Sequence, residues 1–175
     1  MLKDELVRCG AVKFGDFTLT SGKKSKYYVD VKQAITIPVI LKQIAKELRA
    51  KMKDAEMLAG VELGAVPILV AAALEANLPY VIIRKGERTH GTGKKMEGPS
   101  VRGKRVLIIE DVTTTGSSVQ KAVEILRQEG ANVLRVETVV DRGEGATELL
   151  RGAQVELGAL VTAQDLLAMS AGARA

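Results

Sequence analysis

Apolar positions along this chain recur with two different periods, and the changes of period mark out its elements. From Pro38 to about Met52, the residues Val39, Ile40, Ile44, Leu48 and Met52 fall at helical intervals, and Pro38 suits a first turn, where a missing N–H costs nothing. Leu2 to Val12 has similar spacing and predicts a short N-terminal helix. Met57 to Val61, Tyr80 to Ile83, Arg105 to Ile109 and Val133 to Val140 are short, nearly continuous apolar runs, predicted as buried strands. Helices are expected between them over about Val66 to Ala76, ended by Asn77-Leu78-Pro79, and over about Ser118 to Gln128, stopped by Gly130. Phe17-Thr18-Leu19 and Tyr27-Tyr28-Val29 read as strands flanking the turn-forming Thr20-Ser21-Gly22-Lys23-Lys24-Ser25, which predicts a small antiparallel hood.

Strands that alternate with helices and are apolar on both faces predict a parallel sheet flanked by helices, an α/β doubly wound fold. No repeat or low-complexity tract divides the chain, so residues 1–175 are expected to form one domain, with the hood over roughly 1–35 and the core over roughly 36–160. The Ala-rich tail from Leu166 to Ala175 is expected to be either helical or frayed. Ligands of such sheets bind beyond the carboxyl ends of the strands, which directs attention to the loops after Val61, Ile83, Ile109 and Val140.

Composition narrows the ligand. A chain of 175 residues can bury a core without a metal or disulfide staple, and the single cysteine, Cys9, excludes an intrachain disulfide. Charges at Lys3, Asp4 and Glu5 leave no place for a signal-peptide apolar region, and no run reaches membrane-spanning length, so a soluble cytoplasmic protein is expected. A net charge of +5 admits nucleic acid, an anionic membrane or a small polyanion. With three Tyr, two Phe and no Trp there is little material for base stacking. Much of the positive excess falls instead in Lys23 to Lys32 and Arg84 to Lys95, both rich in Gly, Ser or Thr. A phosphate-bearing small molecule is therefore expected, with neither nucleic acid nor membrane as partner.

The segment richest in chemistry is Val106-Leu107-Ile108-Ile109-Glu110-Asp111-Val112-Thr113-Thr114-Thr115-Gly116-Ser117-Ser118. A buried strand ends in two carboxylates, and a hydroxyl-rich bend then leads into a helix. Backbone N–H groups and hydroxyls at a helix N-terminus cradle anions. The carboxylates would repel that anion, so they make sense facing the hydroxyls of a sugar whose phosphate fills the cradle. No Gly-Lys-Ser/Thr follows the bend, which excludes a Walker A loop, and the Gly-x-Gly-x-x-Gly of a dinucleotide site is missing.

The whole string resembles the phosphoribosyl pyrophosphate signature of type I phosphoribosyltransferases. The resemblance implies that Glu110 and Asp111 hold the ribose hydroxyls, that Val112 and Thr113, Thr114, Thr115, Gly116, Ser117 and Ser118 cradle the 5-phosphate, and that Asp111 stabilises positive charge on the sugar. Arg84-Lys85-Gly86-Glu87-Arg88-Thr89-His90-Gly91 then resembles the catalytic loop of the orotate phosphoribosyltransferases within that family. By that resemblance Arg84, Lys85, Arg88 and His90 contact pyrophosphate, with Lys85, Arg88 and His90 catalytic, and the loop reaches the neighbouring subunit's site in a homodimer. Val139-Val140-Asp141-Arg142-Gly143 matches the point where the family binds orotate through an arginine, here Arg142, and Thr114 matches a base contact.

Gly60-Val61-Glu62-Leu63-Gly64-Ala65-Val66-Pro67 fits the family's pyrophosphate loop, but Gly64 stands where many bacterial members carry lysine, and Thr20 replaces another lysine near the N-terminus. Arg88 stands where lysine is common, which keeps the charge and changes the geometry. The implied reaction transfers the ribose 5-phosphate of phosphoribosyl pyrophosphate to orotate and releases pyrophosphate, with Mg2+ carried by substrate. A purine or another pyrimidine remains open as acceptor, and so does a regulator that only senses phosphoribosyl pyrophosphate.

Overall fold

The computed structural model describes residues 1–18, 24–86 and 95–172. It begins with α1 (Leu2–Arg8), β1 (Val12–Thr18), β2 (Lys24–Val29), α2 (Lys32–Ile35) and α3 (Pro38–Arg49). Alternating elements follow: β3 (Met57–Val61), α4 (Val66–Ala76), β4 (Tyr80–Ile83), β5 (Met96–Glu97), β6 (Arg105–Thr113), α5 (Ser117–Gln128), β7 (Asn132–Asp141), α6 (Ala146–Gly152), β8 (Glu156–Thr162) and α7 (Ala163–Gly172).

The main sheet has the order β5-β4-β3-β6-β7-β8. Its strands are parallel except β5, which runs antiparallel to β4 along one edge. β1 and β2 form the expected antiparallel hood, and the turn from Thr20 to Lys23 lies outside the described residues. α2, β5, β8 and α6 were not foreseen. β5 is too short to carry a pattern, and Gly158 breaks the apolar run of β8.

Alternation along the central strands sorts side chains onto two helical layers. Leu58, Leu107 and Ile109 pack with Ile40, Ile44, Leu48, Ile68 and Leu69 of α3 and α4. Met57, Ala59, Val106 and Ile108 pack with Val119, Ala122, Val123 and Leu126 of α5. Each fully buried Leu or Ile contributes roughly 1.5–3 kcal/mol relative to exposure. Leu2, Leu6, Val12 and Tyr27 belong to the first of these clusters, so the hood and the core share buried contacts. No helix among the described residues is long and apolar enough to cross a membrane.

β6 is longer than its apolar run. Pairing with β7 continues through Val112↔Val140 and Thr113↔Asp141, because backbone hydrogen bonds define a strand whatever its side chains are. Glu110 and Asp111 therefore belong to the strand itself. Glu110 continues the face of Val106 and Ile108, and Asp111 that of Leu107 and Ile109.

Candidate active site

The ends of β4 and β6 converge on one cleft. It has a volume of about 110 Å³ and is lined by Lys85, Glu110, Asp111 and the bend from Val112 to Ser118. A larger concavity of about 550 Å³ lies near the N-terminal ends of β7 and β8, lined by residues such as Arg135, Thr147 and Arg151. Size does not make it the active site, because it lacks the paired acids and lies away from the carboxyl edge of the sheet, where ligands of such folds bind.

The phosphate cradle is built from backbone. Gly116 holds the N-cap of α5 at φ 82°, a left-handed conformation, and no side chain caps the helix. The first-turn N–H groups are thus left for an anion, and the positive end of the helix dipole adds to their pull. Glycine is needed here on a second count, since a Cβ at Gly116 would lie 3.0 Å from Ala146 Cα. The N–H of Ala146 donates to Thr114 O at 3.2 Å, which ties the bend to α6. Thr115, Ser117 and Ser118 expose their hydroxyls, and Thr115 Oγ1 and Ser117 Oγ are 3.1 Å apart.

The acids sit at the edge of this cradle. Glu110 is 6% exposed. Its Oε1 accepts the Asp111 N–H at 3.0 Å, and Asp111 Oδ1 accepts the Val112 N–H at 2.9 Å. Burial, followed by the hydrogen bond and charge of Asp111, pushes the Glu110 carboxyl up to about 8, against the pull of Lys85. Asp111 lies over the turn after β3: a Cβ at Gly64 would stand 2.7 Å from its Cγ and closer still to Oδ2. The glycine found in place of a lysine is therefore the residue this carboxylate position requires.

Lys85 reaches the same cleft from the end of β4, and its N–H donates to Glu62 Oε1 at 2.9 Å. Arg84 turns elsewhere. Its Nε donates to Glu97 Oε1 at 2.9 Å, its N–H bonds to Lys95 O at 3.0 Å, and it does not line the cleft. Arg88 and His90 lie outside the described residues, as does Thr20.

Arg142 follows β7 and donates its N–H to Thr113 O at 3.0 Å, which places it beside the cradle. The adjacent Asp141 and Arg142 do not pair with each other. Asp141 Oδ1 accepts from Thr113 Oγ1 at 2.9 Å and from the Gly143 N–H at 3.2 Å, whereas Arg142 Nη2 pairs with Glu144 Oε1 at 2.9 Å. Tyr27 of the hood packs its ring against the guanidinium. Sequence reasoning passed over Glu62, Glu97, Glu144 and Tyr27. Only Glu144, two places from Arg142, left a local signal.

Residues 29–154 match the phosphoribosyl transferase domain family. An orotate phosphoribosyltransferase of Methanosarcina mazei is 51% identical over 171 residues, covering 94% of this chain and 91% of the relative. One of Thermoplasma acidophilum is 49% identical over 160 residues, covering 91% of this chain and 92% of the relative. The crystal structure of orotate phosphoribosyltransferase from Aeropyrum pernix superposes with a TM-score of 0.87 at 34% identity, over 98% of each chain. That of the Mycobacterium tuberculosis enzyme in complex with phosphoribosyl pyrophosphate has a TM-score of 0.78 at 30% identity, covering 94% of this chain and 96% of that one.

Proposed function

The chain belongs to the orotate phosphoribosyltransferase group of the phosphoribosyl transferase family, and we propose that it transfers ribose 5-phosphate from phosphoribosyl pyrophosphate to N1 of orotate, releasing orotidine 5'-phosphate and pyrophosphate. One observation carries this reading: on a single strand end, two carboxylates with no described salt-bridge partner adjoin an uncapped helix N-terminus. That combination suits a sugar phosphate, with hydroxyls for the acids and an anion for the N–H groups.

In this reading the N–H groups and hydroxyls of Thr113 to Ser118 hold the 5-phosphate. Glu110 and Asp111 accept from the ribose hydroxyls, and Asp111 faces the positive charge that grows on C1 as its bond to pyrophosphate breaks. Lys85, with Arg88 and His90, neutralises the departing pyrophosphate, whereas Arg84, paired with Glu97 away from the cleft, is given no part in it. Thr114 and Arg142 orient orotate, so that N1 attacks C1 and its proton leaves with the pyrophosphate. Catalysis is positional and electrostatic and forms no covalent enzyme intermediate.

Two carboxylates are too few for a dedicated metal cage, and their hard oxygens suit a Mg2+ brought in on the pyrophosphate. Such an ion supplies charge stabilisation to the leaving group. The same reading places the protein in the cytoplasm, in pyrimidine nucleotide synthesis, as a homodimer with shared sites.

The test is pyrophosphate release with Mg2+, phosphoribosyl pyrophosphate and a panel of bases. Turnover is expected with orotate and not with uracil or hypoxanthine. Turnover with either of those alone reassigns the acceptor, and binding of phosphoribosyl pyrophosphate without any turnover favours a sensor. Shared sites have their own check. Mixed Arg88→Ala and Asp111→Asn chains are expected to regain about a quarter of wild-type activity, because half the dimers then contain one intact site.

A further inference from the structure

The guanidinium that the proposed reaction assigns to the base's carboxylate already has a carboxylate on it. Arg142 is 12% exposed, and its Nη2 lies 2.9 Å from Glu144 Oε1, a carboxylate 22% exposed. The Tyr27 ring closes one side, with Arg142 Cζ 5.8 Å from its centroid, and the Tyr27 hydroxyl donates to Arg142 O at 3.4 Å. Arg142 Nε is buried and has no acceptor among the described residues. Nε and Nη2 form one edge of the planar group, the kind of edge on which a carboxylate makes two parallel bonds. Glu144 makes one of the two.

Charge and backbone both indicate that Glu144 leaves when substrate arrives. Asp141, the neighbouring carboxylate, is bound to Thr113 Oγ1 and the Gly143 N–H and does not pair with Arg142, so among the described residues Glu144 is the anion on this cation. A second anion arriving on the same guanidinium edge would be repelled unless Glu144 withdraws. Asp141 is held by the strand end and its two donors. Glu144 instead stands between Gly143 at φ 65° and Gly145 at φ 108°, and beside Gly145 there is open space where a Cβ would go. Glycines on both sides give this residue the backbone latitude to swing away.

We propose that Glu144 is an internal stand-in for the substrate's carboxylate: it neutralises Arg142 in the empty enzyme and is displaced by a carboxylated base that makes the full two-bond contact. The proposal rests on the orotate reading and adds a residue that sets selectivity within it. A base without a carboxylate that pushed Glu144 aside would leave a mostly buried guanidinium unpaired, an outcome that costs far more than it returns. Glu144 thus weakens orotate binding moderately and excludes uracil-like bases strongly.

The experiment uses the full chain as wild type, Glu144→Gln and Glu144→Ala, read by steady-state kinetics for both substrates and by ligand-induced melting shifts. The KM for orotate is expected to fall about three- to tenfold in Glu144→Ala, with Glu144→Gln between that and wild type, while the KM for phosphoribosyl pyrophosphate stays unchanged. The empty Ala variant should melt lower, and orotate should raise its melting temperature by more than it raises that of wild type. An orotate KM that rises in the Ala variant and recovers in the Gln variant overturns the proposal, because Glu144 then holds Arg142 for the base. An unchanged KM overturns it as well. Should the Ala variant fail to fold, the near-isosteric Gln variant still gives the sign. Wild-type protein that neither binds nor turns over orotate removes the acceptor assignment itself, and that result is read before any variant is made.

Discussion

Asp111 on β6 and Glu137 on β7 are each packed against a glycine of a neighbouring segment. A Cβ on Gly64 would come 2.7 Å from Asp111 Cγ, and one on Gly158 would come 2.6 Å from Glu137 Cδ. The surroundings then diverge. Glu137 is fully buried, bonded to Arg135 Nη2 and 3.9 Å from Lys51 Nζ. Asp111 is half-buried beside buried Glu110, and neither forms a salt bridge with a described residue. One carboxylate finds its counter-charge inside the protein and serves architecture. The other pair has no described counter-charge and has an anion cradle alongside, which suits a ligand with both hydroxyls and phosphate, although Glu137 Oε2 also lacks a hydrogen bond among the described residues.

Three substitutions probe that contrast at its two poles. Asp111→Asn keeps the packing and removes the charge, so kcat/KM for phosphoribosyl pyrophosphate should fall about a hundredfold or more with little change in melting temperature. Gly64→Ala should cost about tenfold in the same parameter by pushing the Asp111 carboxylate off its position. Gly158→Ala, on the architectural pair, should lower stability by about 1–3 kcal/mol in chemical denaturation and leave the activity of the folded fraction intact. If Gly64→Ala lowered stability alone while Gly158→Ala lowered kcat/KM, the contrast between the two glycine contacts would be wrong.

How far the sequence could be read follows from how local each contact is. The cradle was readable because strand, acids, hydroxyls, glycine and helix start are consecutive from Val106 to Ser118, and their chemistry needs mainly the backbone they share. The long strands and helices were readable from their periods for the same reason. Lys85 meets Glu62 across 23 positions, Arg84 meets Glu97 across 13, and Tyr27 meets Arg142 across 115, so no window along the chain contains both partners. Asp141 is adjacent to Arg142 in the chain, but Thr113 on the neighbouring strand takes its carboxylate. Gly64 looked like a missing cation until Asp111 was seen above it. β8 escaped notice in part because Gly158, which makes room for Glu137, interrupts the apolar pattern that would have announced a strand.

Glu110 offers the smallest expected effect and the sharpest distinction, because changing its protonation leaves the packing alone. Its carboxyl is raised from 4.5 to about 8, first by burial and then by Asp111. Between those two values the folded chain holds a proton that the unfolded chain has lost, so the contribution of Glu110 to stability is full below about 4.5 and is lost as pH rises through about 8. In Glu110→Gln this part of the decline should vanish from denaturation curves compared at pH 5 and pH 8. Ligand binding should run the other way. Ribose hydroxyls donate better to an ionised carboxylate, so binding lowers this pKa part of the way and releases a fraction of a proton, and affinity for phosphoribosyl pyrophosphate should rise about threefold between pH 6 and pH 8. Calorimetry in two buffers of different ionisation enthalpy counts the protons released, and the Gln variant should release fewer. A variant that released the wild-type number would assign the proton to another group and place Glu110 with Glu137, among carboxylates that serve the fold and not the sugar.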